Sequence, residues 1–256
     1  MVMQQVELHD LVSLSLREDD KLVISSNMPG VPLNENNLAW RAANLIRAEF
    51  GLTRGVNIYL DKQIPMEAGL AGGSSNGAAV LRSMNKLFGL GCSLEELIKL
   101  AAKLGADMPF CVLGGTALAT GIGEILTPLE NNLKLEVILV KPPFGVPTKE
   151  IYGNLRLAEI KERPDNRQMV KALAAGEKAG VVAALGNVLE TVTTRLYPEV
   201  GQIKNELNRM GIPAIMSGSG ATVFGLIPEG QEDLAERAAI AYRKKQGYQV
   251  FFTSTL

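Results

Sequence analysis

The sequence predicts an α/β protein in two domains. Three observations carry that expectation. Strand-like runs alternate with helical ones in both halves of the 256 residues. A glycine- and serine-rich turn, Pro65–Asn76, stands between an alternating run and a helical one. Composition then shifts at Asn131-Asn132, which divides the chain into 1–132 and 133–256.

Val6–Leu16 alternates apolar and polar residues with the period of a half-buried strand, and Lys21–Ser26 reads as its hairpin partner across the acidic turn Arg17–Asp20. Met28–Asn36 is a loop of Pro, Asn and Gly. Asn37 stands at an N-cap before a helix over Leu38–Phe50, with Leu38, Ala42, Leu45 and Ile46 as its inward stripe and Gly51 as its stop. Val56–Leu60 is a strand. After the glycine turn, Val80, Leu81, Met84, Leu87 and Phe88 mark one face of a helix over Gly77–Phe88. Ser93 and Glu96 form a capping-box pattern opening Leu94–Leu104, which Gly105 ends. Gly114–Gly121 reads as a small-residue strand between glycine turns.

Beyond the boundary, Leu135–Val140 is a strand and Lys141–Thr148 a Pro-rich loop. Lys149–Leu196 is helical in pattern, broken at Arg163–Asp165 and Gly176–Gly180. Glu199–Met210 is a helix closed by Gly211. The strand Ala221–Ile227, the charged helix Gln231–Gln246 and the strand Tyr248–Thr253 complete the chain.

Hydrophobic residues at 46% and charged residues at 21% describe a folded globular protein. A net charge of −1 gives no electrostatic reason to expect nucleic acid or an anionic membrane as partner. No apolar run approaches the length that spans a bilayer, and the first residues do not read as a signal peptide. Cys92 and Cys111 make no disulfide framework and read as buried thiols, which points to the cytoplasm. His9 is the single histidine and reads as a surface residue, so any chemistry proceeds without a histidine base.

The turn Pro65-Met66-Glu67-Ala68-Gly69-Leu70-Ala71-Gly72-Gly73-Ser74-Ser75-Asn76 has a physical use. Glycines let backbone approach a ligand closely, and the first turn of the next helix offers unpaired N–H groups and a positive dipole end to a phosphate. Ser74 and Ser75 add hydroxyls for capping the helix or for touching phosphate. An ordinary turn with a serine cap is the plainer alternative. The turn lacks the lysine of a P-loop and does not fit the dinucleotide glycine pattern.

This turn resembles the nucleotide loop of the GHMP kinases. Three further stretches match the same family in order and spacing: Gly105-Ala106-Asp107-Met108-Pro109-Phe110, Gly145–Tyr152 and Met216–Thr222. The Gly-Gly-Ser-Ser-Asn ending is most similar to the branch that phosphorylates 4-diphosphocytidyl-2-C-methyl-D-erythritol in non-mevalonate isoprenoid synthesis. The resemblance implies a ribosomal-protein-S5-like first domain, a ferredoxin-like second domain and an active site between them. It implies ATP with Mg²⁺ as donor and its phosphates on Pro65 to Ser75; which residues bind the metal stays open. It implies Asp107 as the catalytic acid/base and Asn37 and Lys62 as adenine contacts. Thr148, Tyr152, Gly218 and Ser219 would line the substrate side. The partner is a small molecule, and the protein a monomer or weak homodimer.

Plainer readings stand beside these. Asp107 also suits a turn carboxylate, Asn37 a helix cap, Lys62 a solvated lysine, Tyr152 core packing, and Ser217–Thr222 a turn before a buried strand. The family opens with a Pro-Ala-Lys-Ile-Asn-Leu strand and an Asp-Gly-Tyr-His segment that have no counterpart here. The resemblance places a second catalytic residue in that strand, a lysine. The intact remaining motifs favour a coding sequence that continues upstream over a truly shortened protein; a shortened one would bind nucleotide poorly and leave a sheet edge unpaired. The rivals are a catalytically dead nucleotide-binding protein and a GHMP kinase of the homoserine or mevalonate type.

Overall fold

The computed structural model describes residues 1–256 except 157, 159 and 161. Among the described residues, three sheets and ten α-helices form two packed halves.

In the first half, β2 (Leu11–Leu16), β4 (Val56–Asp61) and β3 (Leu22–Ser26) form a sheet in the order β2-β4-β3. β4 pairs antiparallel with β2 and parallel with β3. The expected hairpin is therefore overturned: β4 lies between the two strands. It carries three essentially buried residues, Val56, Ile58 and Leu60, on one face. Burial of that face favours the centre of the sheet over its edge. The acidic turn docks on the start of β4 instead, where Gly55 donates to the Asp19 carbonyl at 2.6 Å.

The expected strand Val6–Leu16 is also split. β1 (Val2–Gln4) pairs with β5 (Thr116–Thr120), which pairs with β6 (Ile125–Pro128). Residues between β1 and β2 turn to the other end of the chain: Val6 bridges Thr255, and Glu7 donates to the Ser254 carbonyl at 2.8 Å. β6 was not expected, because four residues holding one proline give no usable period.

Helices cover one face of the β2-β4-β3 sheet. α1 (Leu38–Phe50) is capped by Asn37 and stopped by Gly51 at φ +62°, and it buries Ala39, Ala42, Ala43 and Ile46. α2 (Gly72–Leu87) packs along it. The expected start at Gly77 comes five residues too late. α3 (Leu94–Ala102) has its capping box in place. α4 (Met108–Leu113), also unexpected, lays Met108 and Val112 into the same core and buries Phe110 as well.

The second half is a four-stranded antiparallel sheet in the order β10-β7-β9-β8: β10 (Gln249–Ser254), β7 (Glu136–Lys141), β9 (Val223–Leu226) and β8 (Ala214–Met216). On one face Ile138, Val140 and Val223 meet α9 (Pro198–Arg209) and α10 (Glu232–Arg243) through Ile203, Leu207, Ala238 and Tyr242. On the other, Val137 and Leu139 meet α6 (Asn166–Ala175) and α7 (Lys178–Ala183), joined by Val2, Leu8 and Leu70 from the first half. Leu70 belongs to the glycine turn, which the second sheet therefore helps to hold. α5 (Thr148–Gly153) and α8 (Glu190–Leu196) complete this half. The helical pattern expected over Lys149–Leu196 resolves into these four helices, residues 157, 159 and 161 of it lying outside the described residues.

Candidate active site

Two glycine turns meet at the junction of the halves. In the first, Glu67, Gly69 and Ala71 adopt positive φ (50°, 70° and 52°). Ala71 stands at the N-cap of α2 without a side-chain cap bond, so the helix begins with its first amides uncapped. Ser75, expected to cap the helix or touch phosphate, donates to the Gly72 carbonyl at 2.9 Å. A residue that caps would occupy the space a phosphate needs. Pro65 and Ala68 are buried, Met66, Glu67 and Gly73 exposed, and Gly69, Leu70, Ala71, Gly72, Ser74 and Ser75 half-buried.

The second turn, Ser217–Thr222, packs directly on the first. Ser217 Oγ donates to the Gly69 carbonyl at 2.8 Å, and the Thr222 N–H to the Ala68 carbonyl at 3.2 Å. A Cβ on Gly69 would strike the Ser217 carbonyl oxygen and lie 2.7 Å from that of Gly220. Glycine is thus required there twice, by its φ and by its neighbours. Gly218 faces Gly69 in return.

The third stretch closes one side. Glu67's carboxylate lies so close to Gly145 that a Cβ there would collide with it. Thr148 Oγ1 and Ser219 Oγ share a 3.0 Å hydrogen bond, which joins two residues expected on the substrate side. Lys141, at the end of β7, is buried and donates to the carbonyls of Pro142 and Phe144, both at 3.1 Å. Burial pushes its pKa down, partly offset by the charge of Glu67.

Asp107 stands immediately before α4, at a cap position where it makes no cap bond, so the turn-carboxylate reading loses its support. Asp107 as a residue is exposed although Met108, Pro109 and Phe110 beside it are buried. The Met108 thioether rests on Gly77 in α2, which brings the aspartate to the end of the helix that carries the glycine turn. Protein packed behind the carboxyl raises its pKa. Burial and the Asp107 charge together raise the phenol of Tyr152, on α5 in the second half. Tyr152 is 54% exposed, which overturns core packing and leaves its ring free. Burial also holds both thiols up, Cys111 to about 12, with Asp107 contributing there; both cysteines are free and half-buried, not fully buried as expected.

Two expected adenine contacts have other occupations. Asn37 is a helix cap: its Oδ1 accepts from Ala39 N at 2.9 Å and its Nδ2 donates to the Pro32 carbonyl at 2.8 Å. Lys62 is no solvated lysine. Its ammonium is buried, paired with Asp10, and donates to Asn76 Oδ1 at 3.1 Å. Asp10 and Lys141 escaped sequence reasoning, in which Asn76 is only the last residue of the turn. A signal existed for Asp10: it occupies the apolar register of Val6, Leu8, Val12, Leu14 and Leu16, so its side chain had to face inward.

The family models described as GHMP kinases N terminal domain and GHMP kinases C terminal match residues 37–115 and 169–245. A 4-diphosphocytidyl-2-C-methyl-D-erythritol kinase from Alkaliphilus oremlandii (strain OhILAs) is 45% identical over 259 residues, covering 98% of this chain and 86% of its own. This chain belongs to the GHMP kinase family. A kinase of the same description from Brevibacillus brevis (strain 47 / JCM 6285 / NBRC 100599) is 49% identical over 228 residues, 89% of this chain and 78% of that one. A crystal structure of 4-(cytidine 5'-diphospho)-2C-methyl-D-erythritol kinase superposes with a TM-score of 0.80 at 32% identity, covering 99% of this chain and 88% of that chain. Homoserine kinase from Cytophaga hutchinsonii reaches the same TM-score at 20% identity, covering 99% and 89%. The fold is therefore shared with that homoserine kinase. Among the described residues no helix is long and apolar enough to cross a membrane, and no group of three His, Cys, Asp or Glu is placed to hold a metal.

Proposed function

We infer that this GHMP kinase transfers the γ-phosphoryl group of ATP to the 2-hydroxyl of 4-diphosphocytidyl-2-C-methyl-D-erythritol, in the cytoplasm. Identity near one half with kinases of that description, over nearly the whole chain, supports this substrate over homoserine or mevalonate. The observation that supports the site is that Met108, next to Asp107, rests on Gly77 in the helix that carries the glycine turn, while the Asp107 charge is felt by Tyr152 of the second half. Domains at 1–132 and 133–256 put those groups on opposite sides of one junction.

The uncapped amides of α2 and the backbone from Pro65 to Ser75 hold the triphosphate. Asp107, its pKa raised, accepts the proton of the alcohol as that oxygen bonds the γ-phosphorus and the bond to the β-phosphate oxygen breaks, releasing ADP. Tyr152 offers its exposed ring to the cytosine, and Thr148, Gly218 and Ser219 border it. Mg²⁺ would come in on the triphosphate, for which one or two carboxylates suffice, and Glu67 and Asp107 are both exposed residues. The cation would neutralise phosphate charge there. Asn37 and Lys62 then serve the adenine through the frame they build.

The test is a coupled ADP-release assay on the full chain with three alcohols: the cytidine diphosphate alcohol, homoserine and mevalonate. Turnover with the first alone is expected. Preference for either other alcohol would overturn the substrate assignment, and ATP binding without any turnover would favour a nucleotide-binding role.

A further inference from the structure

We infer that Asp10 is a positioning residue that staples the two ends of the phosphate loop, and so sets the direction of the α2 amides. Its carboxylate reaches both sides of the turn. Oδ1 accepts the backbone N–H of Gln63 at 2.7 Å and of Ile64 at 2.8 Å, immediately before Pro65. Oδ2 accepts Asn76 Nδ2 at 2.8 Å, immediately after Ser75, and the Lys62 ammonium. Lys62 closes the circuit by donating to Asn76 Oδ1.

Three features argue that this cluster acts on the loop and is not a general stabiliser. The carboxylate is saturated: four bonds fill about four acceptor positions, so no other group can join and none can leave without an orphan. The pair is dry, the Asp10 and Lys62 side chains being 1% and 5% exposed, and an ion pair so buried is weak evidence for stability as such. The loop between the staple's arms holds two non-glycine residues, Glu67 and Ala71, at positive φ. Such conformations persist only where their surroundings over-determine them. Space is fixed as well as bonding: a Cβ on Gly72 would lie 2.9 Å from Ile64 Cγ2 and 3.4 Å from Lys62 Nζ, so the first turn of α2 rests on the cluster itself.

The proposal rests on the reading that this loop holds ATP phosphates, and wild-type ATP binding by calorimetry tests that reading separately. Asp10→Asn turns an amide NH₂ toward two donors, Lys62 and Asn76. KM for ATP should rise about tenfold or more, while kcat and KM for the alcohol change less than about threefold. Asn76→Ala, which leaves the ion pair and both amide bonds, should raise KM for ATP about threefold and speed amide exchange at Gly72–Ser75. The exchanged pair Asp10→Asn with Asn76→Asp restores donor to acceptor and charge to charge, and should recover most of the loss. If Asp10→Asn does not fold, the Asn76→Ala values decide. Folded variants with wild-type KM for ATP and unaltered exchange, in a protein whose wild type binds ATP, would overturn the staple. Failure of the wild type to bind ATP would overturn the loop reading and the staple with it.

Discussion

The two glycine turns have similar composition and touch one another, yet they are built for opposite tasks. Ser217–Thr222 spends most of its carbonyls on the protein, although the buried Thr222 Oγ1 has no partner among the described residues. Asn187 Nδ2 donates to the carbonyls of Met216 and Gly218 at 2.9 and 2.8 Å, and Thr193 Oγ1 to that of Ser219 at 3.1 Å. Its own backbone adds Gly220 N to the Ser217 carbonyl and Ser217 N to that of Thr222, both at 2.9 Å. Pro65–Ser75 ends instead in a helix whose first amides have no cap. The element after a glycine turn decides the turn's chemistry: a strand consumes backbone donors from its first residue, whereas a helix leaves its first turn's donors unpaired. On the proposed reading the second turn is the wall, and the first is the cradle.

The largest effect should come from Asp107, whose neighbour Met108 rests on the helix that the first turn opens. On the proposed mechanism Asp107→Asn removes the proton acceptor and keeps the shape, so kcat should fall by about 10²–10⁴-fold with KM for ATP nearly unchanged. Equal losses in binding and turnover would place Asp107 in the cradle instead. The same variant carries a pH test. Protein around the Asp107 carboxyl raises its folded pKa above the unfolded value. Between those two values the folded state binds more protons, so stability drops as pH rises through that window. Asp107→Asn should therefore melt above wild type at neutral pH, and the gap should close below the ordinary carboxylate range. Thermal melts across that range check the sign.

Gly69→Ala sharpens the contact between the turns. It places a Cβ against the carbonyl oxygens of Ser217 and Gly220 and holds a non-glycine residue at φ +70°. A loss of about 1–3 kcal/mol in stability is expected from the backbone strain, with weaker ATP binding by calorimetry. Asn187→Ala loosens the wall alone. Removing the donor to two carbonyls should cost about 1–3 kcal/mol in denaturant melts and raise KM for the alcohol more than KM for ATP. A larger rise for ATP would show that the wall, too, grips phosphate. The smallest effect belongs to the helix facing α2: Asn37→Ala should cost about 1 kcal/mol as a lost cap and leave ATP affinity close to wild type. A sharp fall in that affinity would return Asn37 to the adenine pocket.

Local chemistry determined what the sequence could declare unaided. The cap at Asn37, the stop at Gly51, the capping box at Ser93 and Glu96, and the apolar run of β7 depend on residues within a few positions, and each holds. The glycine turn and Asp107 were legible as separate motifs. The tertiary structure alone decided the rest, because those groups meet across large separations. β4 entered between two strands that local order would have paired, since burial of Val56, Ile58 and Leu60 outweighs proximity in sequence. The α2 start moved to Gly72 because the second half of the chain braces the turn ahead of it. Asp10 shows the limit most sharply. Its apolar register told which way it faced, but its partners lie 52 to 66 residues away, and no period in a chain encodes a contact at that range.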